Sequence, residues 1–124
     1  MKLLLDTHAV IWWQRDDRRL SRAARSAIAA ADLVYVSAAS GLEAAIKISQ
    51  GRMRLDEPFR TTLIADDFTE LSFSLAHAQE LERLPMHHKD PVDRILVAQA
   101  RVEGLTLITH DRVLERYGVP IIWT

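Results

Sequence analysis

LLLDTH, residues 3–8, runs three leucines straight into a carboxylate. Three leucines in succession read as a buried strand. Burying an unpaired carboxylate is costly, so an acid closing a core strand needs a partner. Whether Asp6 has one depends on which other residues reach the same place.

Outward from this stretch the chain alternates. Strands are read at Lys2–Leu5, LVYVS (33–37), TELSF (69–73), LTLIT (105–109) and VPIIW (119–123). A short helix is read at Thr7–Gln14, and Ser21 caps another, SRAARSAIAAA, with Ala24, Ile28 and Ala31 on one face. A third helix runs from Ser40 to about Gly51, and a fourth follows Pro58. Further helices span 74–84, ended by Pro85, and 90–103, closed by Gly104, with a helical turn at 112–117. Strands alternating with helices of this length imply βαβ units, hence an α/β fold with a mostly parallel sheet covered on both faces. No repeat, linker or low-complexity segment divides the 124 residues, so one domain, 1–124, is expected.

Composition limits the function classes. The chain is 48% hydrophobic and 27% charged, ordinary for a globular domain. It has no cysteine, which excludes disulfides and thiolate metal sites. No apolar run is long enough for a membrane span and no signal-peptide pattern opens the chain, so a cytoplasmic protein is expected. A net charge of −1 argues against a general nucleic-acid coat but leaves room for a local basic patch.

In a parallel sheet all strand-to-helix junctions lie along one edge, where ligands bind. Asp6 follows the first strand, Ser37, Ser40 and Glu43 the second, and Thr109, His110 and Asp111 the fourth. Asp90 and Asp93 head the helix leading into that fourth strand, so their edge is less obvious. Each acid also has a local explanation. Ser40 and Glu43 match a capping box. Asp90 is an N-cap with Pro91 behind it, Asp93 a first-turn acid favoured by the helix dipole, and Asp111 a start for the last turn. Asp6 is hardest to explain so, because a cap could as well be Ser or Asn.

Several carboxylates along one crevice repel unless something positive sits among them, and a divalent cation would neutralise them. Oxygen ligands, without Cys or a His pair at ligand spacing, select Mg²⁺ or Mn²⁺ over Zn²⁺. The chemistry implied is phosphodiester hydrolysis.

LLLDTHAVIWW, SAASGLEAAIK, HHKDPVDRILVAQA and LTLITHD, in this order, resemble the PIN-domain ribonucleases, and most closely the VapC-like toxins of type II toxin–antitoxin pairs. The resemblance covers nearly the whole chain. Its specificity lies in the combination of DTH, S-x-x-E, H-x-D-P-x-D-R and T-x-D. It implies a three-layer α/β/α sandwich with a central sheet of four to five strands and an endoribonuclease using one or two Mg²⁺ or Mn²⁺ ions. It further implies an RNA substrate, a small cognate antitoxin and a homodimer. The family's acidic cluster maps onto Asp6, Glu43, Asp93 and Asp111, with Asp90 a possible fifth member. Two positions depart from the pattern: Leu42 stands where related sequences often carry Trp, and His110 where a small or other polar residue is usual.

The roles expected are these. Asp6 and Asp93 hold the principal ion, with Asp111 a direct or water-mediated ligand. Glu43 orients or deprotonates the attacking water, or helps hold a second ion. Thr109 and Ser40 hydrogen-bond within the site, while Thr7 and His8 are structural. His87 and His88 are loop residues, His87 fastening the loop before Asp90. Lys47, Lys89 and Arg94 are best placed to meet RNA phosphates. Of Trp12 and Trp13, one packs in the core and the other reaches the surface as an interface anchor.

Three rivals are weighed. A phosphoacceptor domain would need a lysine ending the last strand and an aspartate ending the third, and VPIIW and TELSF offer neither. A dehalogenase-type phosphatase would carry D-x-D after the first strand, where His8 replaces the second acid. The third is a catalytically silent α/β binding module whose acids only cap helices.

Overall fold

Successive side chains of a strand point to opposite faces, and the first strand, β1 (Lys2–Leu5), buries both. Leu3 and Leu5 enter one core with Val10, Trp12, Ile28, Val36 and Ile108. Leu4 enters another with Leu96, Val97, Leu107 and Leu114. In the computed structural model, which describes residues 1–124, β1 is the middle of five strands. The others are β2 (Leu33–Ser37), β3 (Thr69–Leu71), β4 (Thr106–Thr109) and β5 (Ile121–Trp123), in the order β3-β2-β1-β4-β5. Every neighbouring pair is parallel. The sheet is wholly parallel, and helices cover both faces as expected. β3 and β5, the edge strands, are shorter than the sequence suggests, and short edges offer little to pair with another chain.

The helices are α1 (Thr7–Gln14), α2 (Arg22–Ala30), α3 (Ala38–Ser49), α4 (Phe59–Ala65), α5 (Leu75–Arg83) and α6 (Pro91–Glu103), with a 3-10 turn at Arg112–Tyr117. Ser21 caps α2, and Asp90 with Pro91 opens α6, as read from the sequence. At the end of α3, Gly51 takes a left-handed φ of 70°. Its amide donates to Ile48 and that of Arg52 to Lys47, the two bonds of a Schellman stop.

One expectation is corrected and one is borne out in part. First, α3 begins at Ala38, not Ser40, because Ser37 at the end of β2 already caps it through the Ala39 amide at 3.0 Å. Ser40 is therefore inside the helix, fully buried, with its hydroxyl unpartnered, and no Ser40–Glu43 capping box forms. Second, the two tryptophans of α1 divide between core and surface as expected, with Trp13 lining a shallow surface groove. Thr7, Ala9, Val10, Ile11 and Trp12 are all buried, and the half-buried Trp13 packs on Phe68 with ring centroids 6.2 Å apart. The helix is apolar on more than one side because both the sheet and α3 pack against it. The large apolar side chains that do reach the surface include Leu42 and Ile46, one turn apart on α3 and 58% and 46% exposed.

Candidate active site

The sheet order reverses direction of travel at β1, whose neighbours β2 and β4 lead to opposite edges. This is the switch point where open parallel sheets hold ligands beyond the carboxyl ends of their strands. The register sets what meets there. Leu5 pairs with Val36 on one side and Ile108 on the other, so the next residues of the three strands emerge side by side. The Asp6 amide donates to the Ile108 carbonyl at 3.0 Å, fixing Asp6 at the lip.

A cleft of about 230 Å³ opens at this point. It is lined by the carboxylates of Asp6, Glu43, Asp90, Asp93 and Asp111, together with Thr7, His8, Lys47, His88 and His110; none is apolar. All five acids singled out from the sequence thus face one space. α6 begins at the carboxyl edge of the sheet, which answers the open question about Asp90 and Asp93.

Capping and site-building turn out to be the same act. Asp6 accepts the Ala9 amide through Oδ1 at 2.7 Å, leaving Oδ2 3.4 Å from His110 Nδ1. Asp111 accepts the Val113 amide through Oδ1 at 3.1 Å and meets His88 Nε2 through Oδ2 at 2.6 Å. Asp90 accepts the Val92 amide through Oδ1 at 2.9 Å. One oxygen anchors each aspartate to a helix start. The carboxyl plane is then fixed, so the second oxygen has little freedom. Asp93 caps nothing; its Oδ2 lies 3.4 Å from His88 Nε2. Glu43 Oε2 is 3.7 Å from Lys47 Nζ, one turn further along α3.

The electrostatics follow from the crowding. Burial, with the charges of Asp90, Asp6 and Asp111, pushes the Asp93 carboxyl up to about 7, against the pull of His88. Burial acts the same way on Asp111, but the hydrogen bonds from His88 and the Val113 amide outweigh it and hold that carboxyl below its usual value. His110 is raised by its contact with Asp6, which outweighs burial, with Asp111 and Asp93 adding to it. His8 is lowered, chiefly by burial. The cleft carries more negative charge than its own cations offset.

These residues fit a hard divalent cation. Carboxylate oxygens converge without any thiolate, and Thr7, buried and lining the cleft, has a hydroxyl with no partner. Buried hydroxyls ordinarily find one, and the hydration shell of an ion would supply it.

The remaining expectations sort plainly. Thr109 is buried, and its hydroxyl accepts the Asp111 amide at 3.2 Å, setting the turn that carries the acid. Ser40 does not line the cleft. Lys47 does, whereas Lys89 is exposed outside it. Arg94 is turned to the fold, donating to the Leu84 carbonyl at 3.1 Å. The loop before Asp90 is fastened by His88 rather than His87. His88 Nδ1 accepts the Asp90 amide at 2.9 Å, while the His87 ring lies against Tyr117 at 5.1 Å. Sequence reasoning missed His88. The signal available was its place at the head of H-x-D-P-x-D-R, two residues before Asp90 and within reach of that amide.

Reasoning from single residues also missed a second groove, of about 410 Å³, which shares His8 and Lys47 with the acidic cleft. Arg15, Arg19, Arg52 and Arg54 line it. Arg19 is clamped by Asp17 at 2.7 Å and lies 5.0 Å over the Trp12 ring. A basic groove thus runs directly into the acidic cleft.

A cluster of acids at the switch point of a parallel sheet, next to a cationic groove, defines an α/β protein with the means to take a hard cation and a polyanion together. The PIN domain family model matches residues 3–120, and the chain belongs to that family. It is 35% identical over 121 residues to Ribonuclease VapC22 of Mycobacterium tuberculosis, covering 95% of this chain and 93% of the relative. Among solved structures, VapBC2 from Rickettsia felis, bound to a promoter DNA fragment, gives a TM-score of 0.75 at 14% identity, covering 99% and 98% of the two chains. DNA-bound VapBC from Salmonella typhimurium gives 0.67 at 17% identity, covering 99% and 98%. FitAcB from Neisseria gonorrhoeae gives 0.65 at 16% identity, covering 97% and 96%. At these identities the structures share the fold.

Proposed function

We propose that this chain is a divalent-metal-dependent endoribonuclease of the VapC kind, a toxin held inactive by a cognate antitoxin. The observation that carries the reading is the convergence of five carboxylates in one cleft with a basic groove opening from it. The silent-module alternative is disfavoured by the same geometry, because acids needed only as caps would not have to share a cavity. Cleavage of single-stranded RNA by the purified chain, with and without a divalent ion, tests it.

In this reading Asp6 and Asp93 hold Mg²⁺ or Mn²⁺, with Asp111 as direct or water-mediated ligand. The ion supplies polarisation of a phosphoryl oxygen, a more acidic attacking water and stabilisation of the leaving oxygen. Glu43 orients that water, or accepts its proton, from the wall formed by α3. Lys47 balances Glu43 and faces both spaces, so it meets the phosphate at the junction. Arg15, Arg52 and Arg54 bind phosphates along the strand. Nothing in the groove is arranged to read base edges.

The groove makes a quantitative expectation. Each phosphate contact to a single strand contributes a slope of about −0.7 in log K against log salt. Arg52→Ala combined with Arg54→Ala should lower RNA affinity at low salt and flatten that slope by about 1.4. Binding of a labelled RNA across a salt series reads both. An unchanged slope removes these arginines from the RNA path.

The partner reading rests on Leu42 and Ile46, which extend an apolar ridge beside Glu43 and Lys47. An antitoxin segment with an apolar helix seats there, and its Arg or Lys enters the cleft and competes with metal by direct neutralisation. A second copy of the chain completes the assembly as a homodimer. Leu42→Asp should weaken antitoxin capture by at least about tenfold without unfolding the chain, since hot-spot losses exceed ~1.4 kcal/mol. Capture at wild-type strength would place the antitoxin elsewhere.

A further inference from the structure

His88, Asp93 and Asp111 bring one ligand atom each within 4.8 Å of one another. On distance alone this trio could be taken as a metal site with His88 as a nitrogen ligand. The hydrogen bonds argue otherwise. The Asp90 backbone N–H donates to His88 Nδ1 at 2.9 Å, and a ring nitrogen that accepts carries no hydrogen. The hydrogen of the neutral ring is therefore on Nε2, which points at Asp111 Oδ2 at 2.6 Å and lies 3.4 Å from Asp93 Oδ2. To ligate through Nε2 the ring would have to move that hydrogen to Nδ1. There it would face the Asp90 amide donor, and one hydrogen bond would become a clash of two donors.

The ring is also held in place from behind. The His88 amide donates to the Tyr117 hydroxyl at 3.0 Å, and the His87 amide to the same oxygen at 3.1 Å. The His88 side chain is mostly buried. One imidazole thus ties the loop before α6 to Asp111 on the turn after β4, two segments distant in sequence that must each deliver an acid to the cleft.

We propose that His88 is a positioning residue, a fixed hydrogen-bond donor that holds Asp111 and Asp93 in register for the ion without itself being a ligand. The inference rests on the metal-dependent reading above. It adds the prediction that the ring keeps its Nε2 hydrogen when the site is loaded. Groups that orient metal ligands change metal affinity by about 10–100-fold when removed.

Two measurements on the full chain test it. In ¹⁵N-labelled protein, long-range spectra of the imidazoles report which His88 nitrogen is protonated, first in EDTA and then with saturating Mg²⁺. The expected result is Nε2–H in both. In parallel, Mn²⁺ titration followed by calorimetry should show His88→Ala raising the dissociation constant about 10–100-fold, and His88→Gln, which keeps a donor near the Nε2 position, within about threefold of wild type. If His88→Ala does not fold, the spectra and the Gln variant decide. Loss of the Nε2 hydrogen on adding Mg²⁺ makes His88 a ligand and overturns this role alone. Wild-type affinity in His88→Ala overturns it as well. A wild-type chain that binds neither ion overturns the metal site and this role together, and is recognised because wild-type calorimetry then shows no heat.

Discussion

Asp93→Asn is expected to abolish RNA cleavage, by more than the ~100-fold typical of losing a group that only supports metal ligands. The same change should raise the melting temperature of the metal-free chain at pH 8. Both effects have one source. Asp93 lies among Asp6, Asp90 and Asp111, half out of water, and its carboxyl is pushed up to about 7. Ionising it in the empty cleft costs free energy that folding must offset. Asparagine keeps the size and removes that cost, but it also removes charge the ion needs. A group whose native pKa is raised above its unfolded value of 3.8 takes stability away as pH rises from that value towards 7. The stability gain of Asp93→Asn should therefore be small at pH 4 and close to its full size at pH 8. Calorimetric melts at the two values, beside a cleavage assay with labelled RNA, measure it. A destabilised variant at pH 8, or one that still cleaves, contradicts the assignment.

Divalent ion should reverse the same penalty, and this is the second large effect. An ion binding the native state alone stabilises by RT ln(1 + [L]/Kd), about 2.7 kcal/mol at 100 Kd. Mn²⁺ should raise the melting temperature of the wild type and leave that of Asp6→Asn unchanged. The ion competes with the proton on Asp93 and, in the same direction, with the proton that Asp6 stabilises on His110. Affinity should therefore strengthen as pH rises, by about tenfold per unit for each displaced proton, and level off once both groups have lost theirs. Asp111 adds to this trend only at low pH, because its carboxyl is held below the usual range. Isothermal titration of Mn²⁺ at pH 5.5, 6.5 and 8 reads the trend. A flat affinity would mean that no proton leaves the site.

Much of this is legible in the sequence. Leu3 to Leu5 and LTLIT declare the two central strands because both faces of a parallel sheet are buried. Asp6 and Asp111 then follow from the rule that parallel strands deliver their ends to one edge. The helix α6 could not be placed so easily, since a helix start says nothing about where it arrives. Ser40–Glu43 misled for a local reason: Ser37 and Ser40 could both begin a helix, and the capping-box spacing favoured the wrong one. Which of Trp12 and Trp13 is buried was not legible, because packing by α3 against α1 is a tertiary fact with no trace in helical periodicity. The basic groove was hidden for the same reason, being assembled from Arg15 and Arg19 after α1 and Arg52 and Arg54 after α3. His88 heads the H-x-D-P-x-D-R run, but its role was missed because a motif does not say that its ring nitrogen accepts an amide two residues on. Asp90 and Asp111, by contrast, were legible twice over, once as caps and once as members of the cluster. The structure makes these compatible, because each capping aspartate spends one oxygen and keeps the other.

The central claim is that the acid cleft hydrolyses RNA only when it holds a divalent ion, and one titration tests it most directly. The purified chain, freed of metal with EDTA and then exchanged out of it, is given a single-stranded RNA and increasing Mn²⁺. Cleavage should be absent without the ion, rise to saturation with it, and stay absent throughout in Asp6→Asn. Cleavage at full rate in EDTA, or equal cleavage by Asp6→Asn, would contradict the account.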